Sequence, residues 1–448
     1  MKKIIVTAVL TLAAISATAQ TFQQALFLDG YRLGYRYNPA FQNETGFLSV
    51  GQWENQTRNN FGASSFLYPR GEEIVTALHS SVTADEFLGS LSSDNYFSSN
   101  INFNLVSYGW RKDKAYHTLE ANIRAVYGAS IPKEIFAIAK LGTGETNYDL
   151  SGMRAWGNAV VELAYGYSYK FSDILSVGGR AKLLIGIEAI NYNVSRFDLT
   201  MSEDVYRADV EADLDLTSRW NKVGTNEDGY MDFTRLSAKD RWRLPSGAGL
   251  AVDLGVTVTP CEGLTLSASA LDLGGMLWYY GNAGVSQGTA TFEGVKELSL
   301  DDIKNGNIKQ QFKEVQDEFI HSVKVKPVDK HMAPEAIPFN LNVAAKYEMP
   351  FYRALAIGAT GNYLGSGGIA YREARGVLAW NPCSWCGLAG NCGAGSYGPV
   401  WGFAANAAIR NFRLTAALSN GFGGTVPYSS TPLTANNKVF TVGLTYDL

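Results

Sequence analysis

Few residues in this chain have the types and spacings that do chemistry. The four histidines, His79, His117, His321 and His331, include no HExxH pair. No GxSxG nucleophile elbow or Walker A loop occurs. Gly142-Thr143-Gly144-Glu145 is a lone glycine turn rather than a phosphate cradle. The chain is not read as an enzyme, and no cofactor is expected. Cys383-Ser384-Trp385-Cys386 is the one thiol cluster, with Cys392 beyond it and Cys261 elsewhere. A CxxC pair can be redox-active or bind metal. In an oxidising compartment a disulfide is the favoured reading, within the pair or from Cys261 to it. Zinc would need Cys392 to reach the same spot, and a thioredoxin-like role lacks its βαβ setting.

A second constellation is acidic. Asp209, Glu211, Asp213 and Asp215 alternate with Val210, Ala212, Leu214 and Leu216. On an extended strand the four carboxylates face one way, about 7 Å apart. Such a row repels itself unless it is solvated, paired with bases or bridged by a cation. A solvated outer hairpin is favoured, and calcium is the metal that would suit an all-oxygen face.

The elements that carry these residues are strands. Lys2 and Lys3, the apolar run from Ile4 to Ile15 and the small residues Ala17 and Ala19 read as a cleaved signal peptide over residues 1–19. Beyond Gln20 no run approaches the roughly 20 apolar residues of a transmembrane helix. Charged residues make up 18%, below the ~25% usual in soluble domains. Tyrosine and glycine are abundant, at 24 and 46 residues, which suits strands that meet membrane interfaces and curve. A net charge of -4 with no basic stripe excludes a nucleic-acid partner.

Two-residue alternation then recurs along the chain. Val161, Leu163, Tyr165, Tyr167 and Tyr169 alternate with Glu162, Ala164, Gly166, Ser168 and Lys170. Leu175 to Ile187 repeats the pattern after a short Ser172-Asp173 link, and Phe440 to Leu448 ends the chain with it. Short and long connections alternate as well. The expected fold is all-β: a transmembrane antiparallel barrel of about 14 strands, with short turns at one end and long loops at the other. The long outer loops are placed at 193–248 and 281–338. Within the second, Ile308, Phe312, Val315 and Phe319 have helical spacing, read as a rim helix or a lid. The alternation puts charges of both signs on the lumen face, among them Glu120, Arg124, Glu162, Arg180, Lys182, Glu188, Asp253, Lys346, Glu373 and Arg375. Enclosed charges must pair or stay wet, and Arg32 and Arg36 near the N-terminus are candidate partners for the carboxylates.

Several stretches carry a family resemblance. Tyr37-Asn38-Pro39-Ala40 looks like the Asn-Pro-Ala motif of FadL-like barrels. Ile131-Pro132-Lys133-Glu134-Ile135-Phe136, Glu162 to Ser168, Val177 to Gly186, Leu250 to Gly255 and Leu271-Asp272-Leu273-Gly274 follow in the order of an uncharacterised family of Bacteroidetes outer-membrane barrels. The chain resembles that family, which is similar to the long-chain fatty acid transporter superfamily. The resemblance implies a 14-strand barrel at the outer membrane, with residues 20–45 folded into the lumen as a hatch and 46–448 as the barrel. It leaves two roles open: passage of a small hydrophobic compound, or a non-conducting scaffold or shuttle that holds an envelope or secreted protein.

Overall fold

The computed structural model describes residues 23–71, 73–142, 146–201, 206–218, 221–238, 245–292, 324–366, 369–396, 398–419 and 436–448. The expected signal peptide, His321 and the helical spacing at Ile308 to Phe319 lie outside the described residues.

Fourteen antiparallel strands close into one barrel. In chain order they are β1 (Phe47–Asn59), β2 (Asp94–Lys112), β3 (Ala115–Pro132), β4 (Arg154–Lys170), β5 (Leu175–Met201), β6 (Gly247–Cys261) and β7 (Leu264–Tyr280). Then follow β8 (His331–Ala336 and Phe339–Glu348), β9 (Leu355–Ser366), β10 (Ile369–Cys383), β11 (Cys386–Gly395), β12 (Gly398–Ile409), β13 (Phe412–Ser419) and β14 (Asn436–Asp447). Each pairs with its sequence neighbours, and β14 pairs with β1 from Asp447 opposite Phe47 to Asn436 opposite Asn59, so the barrel has no free edge.

The alternation seen in sequence is the wall of this barrel. On β4, Leu163, Tyr165 and Tyr167 are each more than 40% exposed, while Glu162 and Ser168 are 2% exposed. Leu250, Val343, Leu388 and Phe403 continue the outward apolar band on other strands. An apolar exterior around a charged interior is the reverse of a soluble domain and matches a barrel whose solvent is lipid. Among the described residues no helix is long and apolar enough to cross a membrane.

One end is made of tight turns. Asp113, Gly263 and Arg410 take positive φ there, as two-residue hairpins require. The other end is built up. The outer half of β5 pairs with Tyr206–Ser218, which pairs in turn with Asn282–Phe292 beyond β7. Residues expected to start a loop at 193 therefore begin as wall. Beside them two short helices, α1 (Ala84–Gly89) and α2 (Lys133–Leu141), bring Phe87 and Phe136 onto Phe66, at ring-centroid distances of 5.8 and 5.5 Å. This packed cluster lies at the loop end, where β2 begins and β3 ends.

Candidate functional site

The residues that could bind or gate lie inside the barrel, in two layers. The lower layer is the N-terminal segment, which forms two short 3₁₀ turns at Gln23–Phe27 and Gly34–Arg36. Phe27, Leu28 and Leu33 pack in one cluster with Ala356, Ala379, Ala389, Ala404 and Ala417, all buried. These alanines are the inner face of β9 to β13. Larger residues there would fill the space the segment occupies.

Polar contacts fix the segment at the turn end. The Asn381 amide donates to the Phe27 carbonyl at 3.0 Å and its oxygen accepts from the Asp29 N–H at 3.0 Å. Asn406 donates to the Asp29 carbonyl at 2.7 Å. The Arg32 guanidinium forms a two-pronged pair with Asp447, at 2.6 and 2.9 Å. Lys346 reaches both Asp29 and Glu348. Burial pushes the Tyr31 and Tyr35 hydroxyls up from the ordinary phenol range, and the Glu120 carboxylate adds to the effect at Tyr35.

Asn38, Pro39 and Ala40 sit against the wall. The Asn38 amide donates to the carbonyls of Val256 on β6 and Ala268 on β7, at 3.0 and 3.1 Å, while its oxygen accepts from the Ala40 N–H at 2.9 Å. The approach is so close that a Cβ at Gly178 would overlap the Pro39 carbonyl, and one at Gly255 would overlap the Asn38 amide oxygen. Glycine is needed at both wall positions for the motif to seat.

Above the segment lies the charged layer. Arg180 binds Glu120 at 2.8 Å and Asp253 at 2.9 Å. Lys182 binds Asp253 at 2.8 Å and Asp272 at 2.6 Å. Arg124 joins Glu162 at 2.6 Å to Asp272 at 2.8 Å. From below, the Tyr35 hydroxyl donates to Glu120 at 2.6 Å, and Arg36 approaches the same carboxylate at 3.5 Å. Four cations (Arg36, Arg124, Arg180, Lys182) thus face four carboxylates (Glu120, Glu162, Asp253, Asp272). Arg124 keeps 14% side-chain exposure and the other seven 8% or less, so each charge depends on its partners. The network opens upward on a polar cavity of about 90 Å³, lined in part by Tyr37, Glu54, Arg58 and Leu364.

Residues 39–418 match the family of unknown function DUF5723. The chain belongs to that family. No curated protein matches the DUF5723 chain in sequence. Among solved structures it is similar to the toluene transporter TbuX of Ralstonia pickettii, at 10% identity and a TM-score of 0.45, over 97% of this chain and 96% of that one. The toluene transporter TodX of Pseudomonas putida gives the same four figures. A FadL homologue of Pseudomonas aeruginosa follows at 11% identity and a TM-score of 0.45, over 96% and 99% of the two chains.

The structure gathers Arg36, Glu162, Arg180 and Lys182 in the network and places Arg32 at its foot, but it puts Glu188 elsewhere. A register irregularity between β4 and β5 sets Gly186 opposite Val160 but Glu188 opposite Ala159. The extra residue, Ile187, reverses the alternation, and Glu188 faces outward. Asp272 entered the sequence reading only as part of a motif. It stands on a second irregularity, at φ +60°, where its N–H donates to Asp253 at 2.7 Å. An aspartate set in the apolar run Leu271 to Leu273 was the available signal. Glu373 and Arg375 pair with each other, buried, away from this network.

The acidic row and the cysteines are not part of the site. Asp209 pairs with Arg207 and Thr289, and Asp215 with His331. Among the described residues no three acidic, histidine or cysteine side chains converge on a metal-sized space. Cys383 and Cys386 face each other across a two-residue turn, Sγ to Sγ 2.9 Å, while Cys261 at the end of β6 and Cys392 farther along β11 are exposed.

Proposed function

We propose that this chain is an outer-membrane barrel that passes a small compound, with residues 20–45 as its movable hatch and residues 1–19 as its export signal. The turn end then faces the periplasm and the built-up end faces outward. The observation that carries this reading is the layered lumen: a segment held by side-chain contacts alone, under an open polar cavity. A segment so held can leave its seat without breaking a strand pairing. The favoured compound is small and hydrophobic with a polar group. Its body would meet Tyr37, Leu271 and Leu364, and its polar group the guanidinium and carboxylate groups of the cavity.

A scaffold role is the second reading. The phenylalanine cluster at the loop end and the Tyr206–Ser218 extension give a folded outer surface on which a partner protein could sit.

Vesicle uptake separates the two. Benzoate, an apolar ring with one polar group, is the first solute to test, beside planar-bilayer conductance of the full chain and of a variant lacking residues 21–45. Uptake by the full chain, with conductance steps only from the truncated one, is expected. Silence from both in both assays would favour the scaffold.

A further inference from the structure

The outer face of the same wall has a feature that neither transport nor scaffolding uses. Two rows of outward side chains run in register across five strands. One row is Tyr108, Leu119, Tyr165, Ala181 and Val252; the other is Val106, Ala121, Leu163, Leu183 and Leu250. Ala121 and Ala181 are short among long neighbours, and the wall is recessed there. The recess has a volume of about 660 Å³ and is almost wholly apolar. Strand irregularities flank it, between Asn104 and Val106 on β2 and between Val252 and Leu254 on β6.

The next row towards the turn end is aromatic. Trp110 stacks on His117 with ring centroids 5.0 Å apart and planes 6° apart, and Tyr108 stacks on Trp110 at 5.3 Å. His117 Nδ1 is 2.9 Å from the Tyr165 hydroxyl. Aromatic side chains at this level mark the headgroup boundary. Beyond them the rim is basic. Arg111, Lys112, Lys114 and Lys170 stand against Asp113 and Asp173. Lys170 is taken by Asp173 at 2.9 Å, and Arg111 by the Asn43 carbonyl. Lys112 and Lys114 are exposed and enter no ion pair among the described residues. Lys112 lies four residues below Tyr108, about 13 Å along the strand.

We propose that this recess and its rim bind an anionic phospholipid of the leaflet at the turn end. Its acyl chains fill the apolar recess, the glycerol region crosses the Trp110–His117 stack, and the phosphate meets Lys112 and Lys114. Charge complementarity selects an anionic headgroup over a zwitterionic one. What sets this patch apart is that the recess at its outward alanines is followed, towards the turn end, by stacked aromatic rings and then by a basic rim. The proposal rests on the transmembrane reading of the barrel and not on its carrying a solute.

The test is native mass spectrometry of the full-length protein released from nanodiscs of equal phosphatidylglycerol and phosphatidylcholine. The wild type is expected to retain phosphatidylglycerol in preference by at least about threefold. Lys112→Gln with Lys114→Gln should abolish the preference. Ala181→Phe, which fills the recess from the lipid side, should lower retention of both lipids. Equal retention by the wild type overturns the proposal, as does a preference that survives the double substitution. Unchanged retention in Ala181→Phe overturns the recess as the acyl site. A chain that fails to insert into nanodiscs would instead sink the transmembrane reading, so the two failures are distinguishable.

Discussion

The Arg32 guanidinium grips the Asp447 carboxylate with two hydrogen bonds, at 2.6 and 2.9 Å, and so ties the N-terminal segment to the final strand. The pair is partly screened from water, at 14% and 19% side-chain exposure. Asp447 also lies 3.6 Å from Arg413, which donates to the Ser384 carbonyl. One carboxylate therefore joins the hatch to two turns of the wall.

Breaking that grip should loosen the hatch and leave the barrel intact. Arg32→Ala is expected to cost the seated segment about 1.5–3 kcal/mol, the range for hydrogen bonds to charged groups. Limited proteolysis of the folded protein is the readout. Cleavage within residues 23–45 should become faster while the barrel band persists, and unchanged cleavage would remove the pair from the gating account.

The Asn-Pro-Ala seat gives a pair of contrasting substitutions. Gly178→Ala drives a methyl into the Pro39 carbonyl, and no side-chain truncation can relieve it. Gly255→Ala collides chiefly with the Asn38 amide. Adding Asn38→Ala should therefore partly rescue Gly255→Ala and leave Gly178→Ala unrescued. The same proteolysis assay reads both, and equal rescue would contradict the geometry.

The charge network should resist piecemeal change. Asp272→Asn strips a carboxylate from both Arg124 and Lys182, which remain buried. The expected loss is about 3–5 kcal/mol, as for one partner removed from a buried pair. Glu188→Gln, on an outward-facing carboxylate, should stay within about 0.5 kcal/mol. Urea unfolding in detergent micelles compares the two directly.

The thiols should fall into two classes. Oxidation is expected to join Cys383 to Cys386 without moving the strands, since the sulfurs already touch across the turn. Cys261 and Cys392 should then be the two of the four that alkylate. Intact mass after alkylation counts them; incorporation at all four under oxidising conditions would show that the pair stays reduced.

Much of this was legible in the sequence because a lipid-facing strand must alternate. The strand count, the short turns at one end and the inward Glu162, Arg180 and Lys182 all follow from that rule. The rest failed where the rule breaks locally. One extra residue at Ile187 turned Glu188 outward, and an irregularity at Asp272 turned a motif residue into the hub of the network. The alanine floor under Phe27 was invisible for another reason. Small inward residues look alike in sequence, and only the fold reveals which of them make room for a distant segment.

That floor has a consequence in time. Phe27 finds Ala356, Ala379, Ala389, Ala404 and Ala417 only after more than three hundred residues of chain have been made and closed into a wall. Contacts so far apart in sequence form late, because a very large loop must be ordered before they contribute. The first described residues of the chain are thus among the last to find their place. A seated Phe27 reports that the far half of the barrel has been assembled.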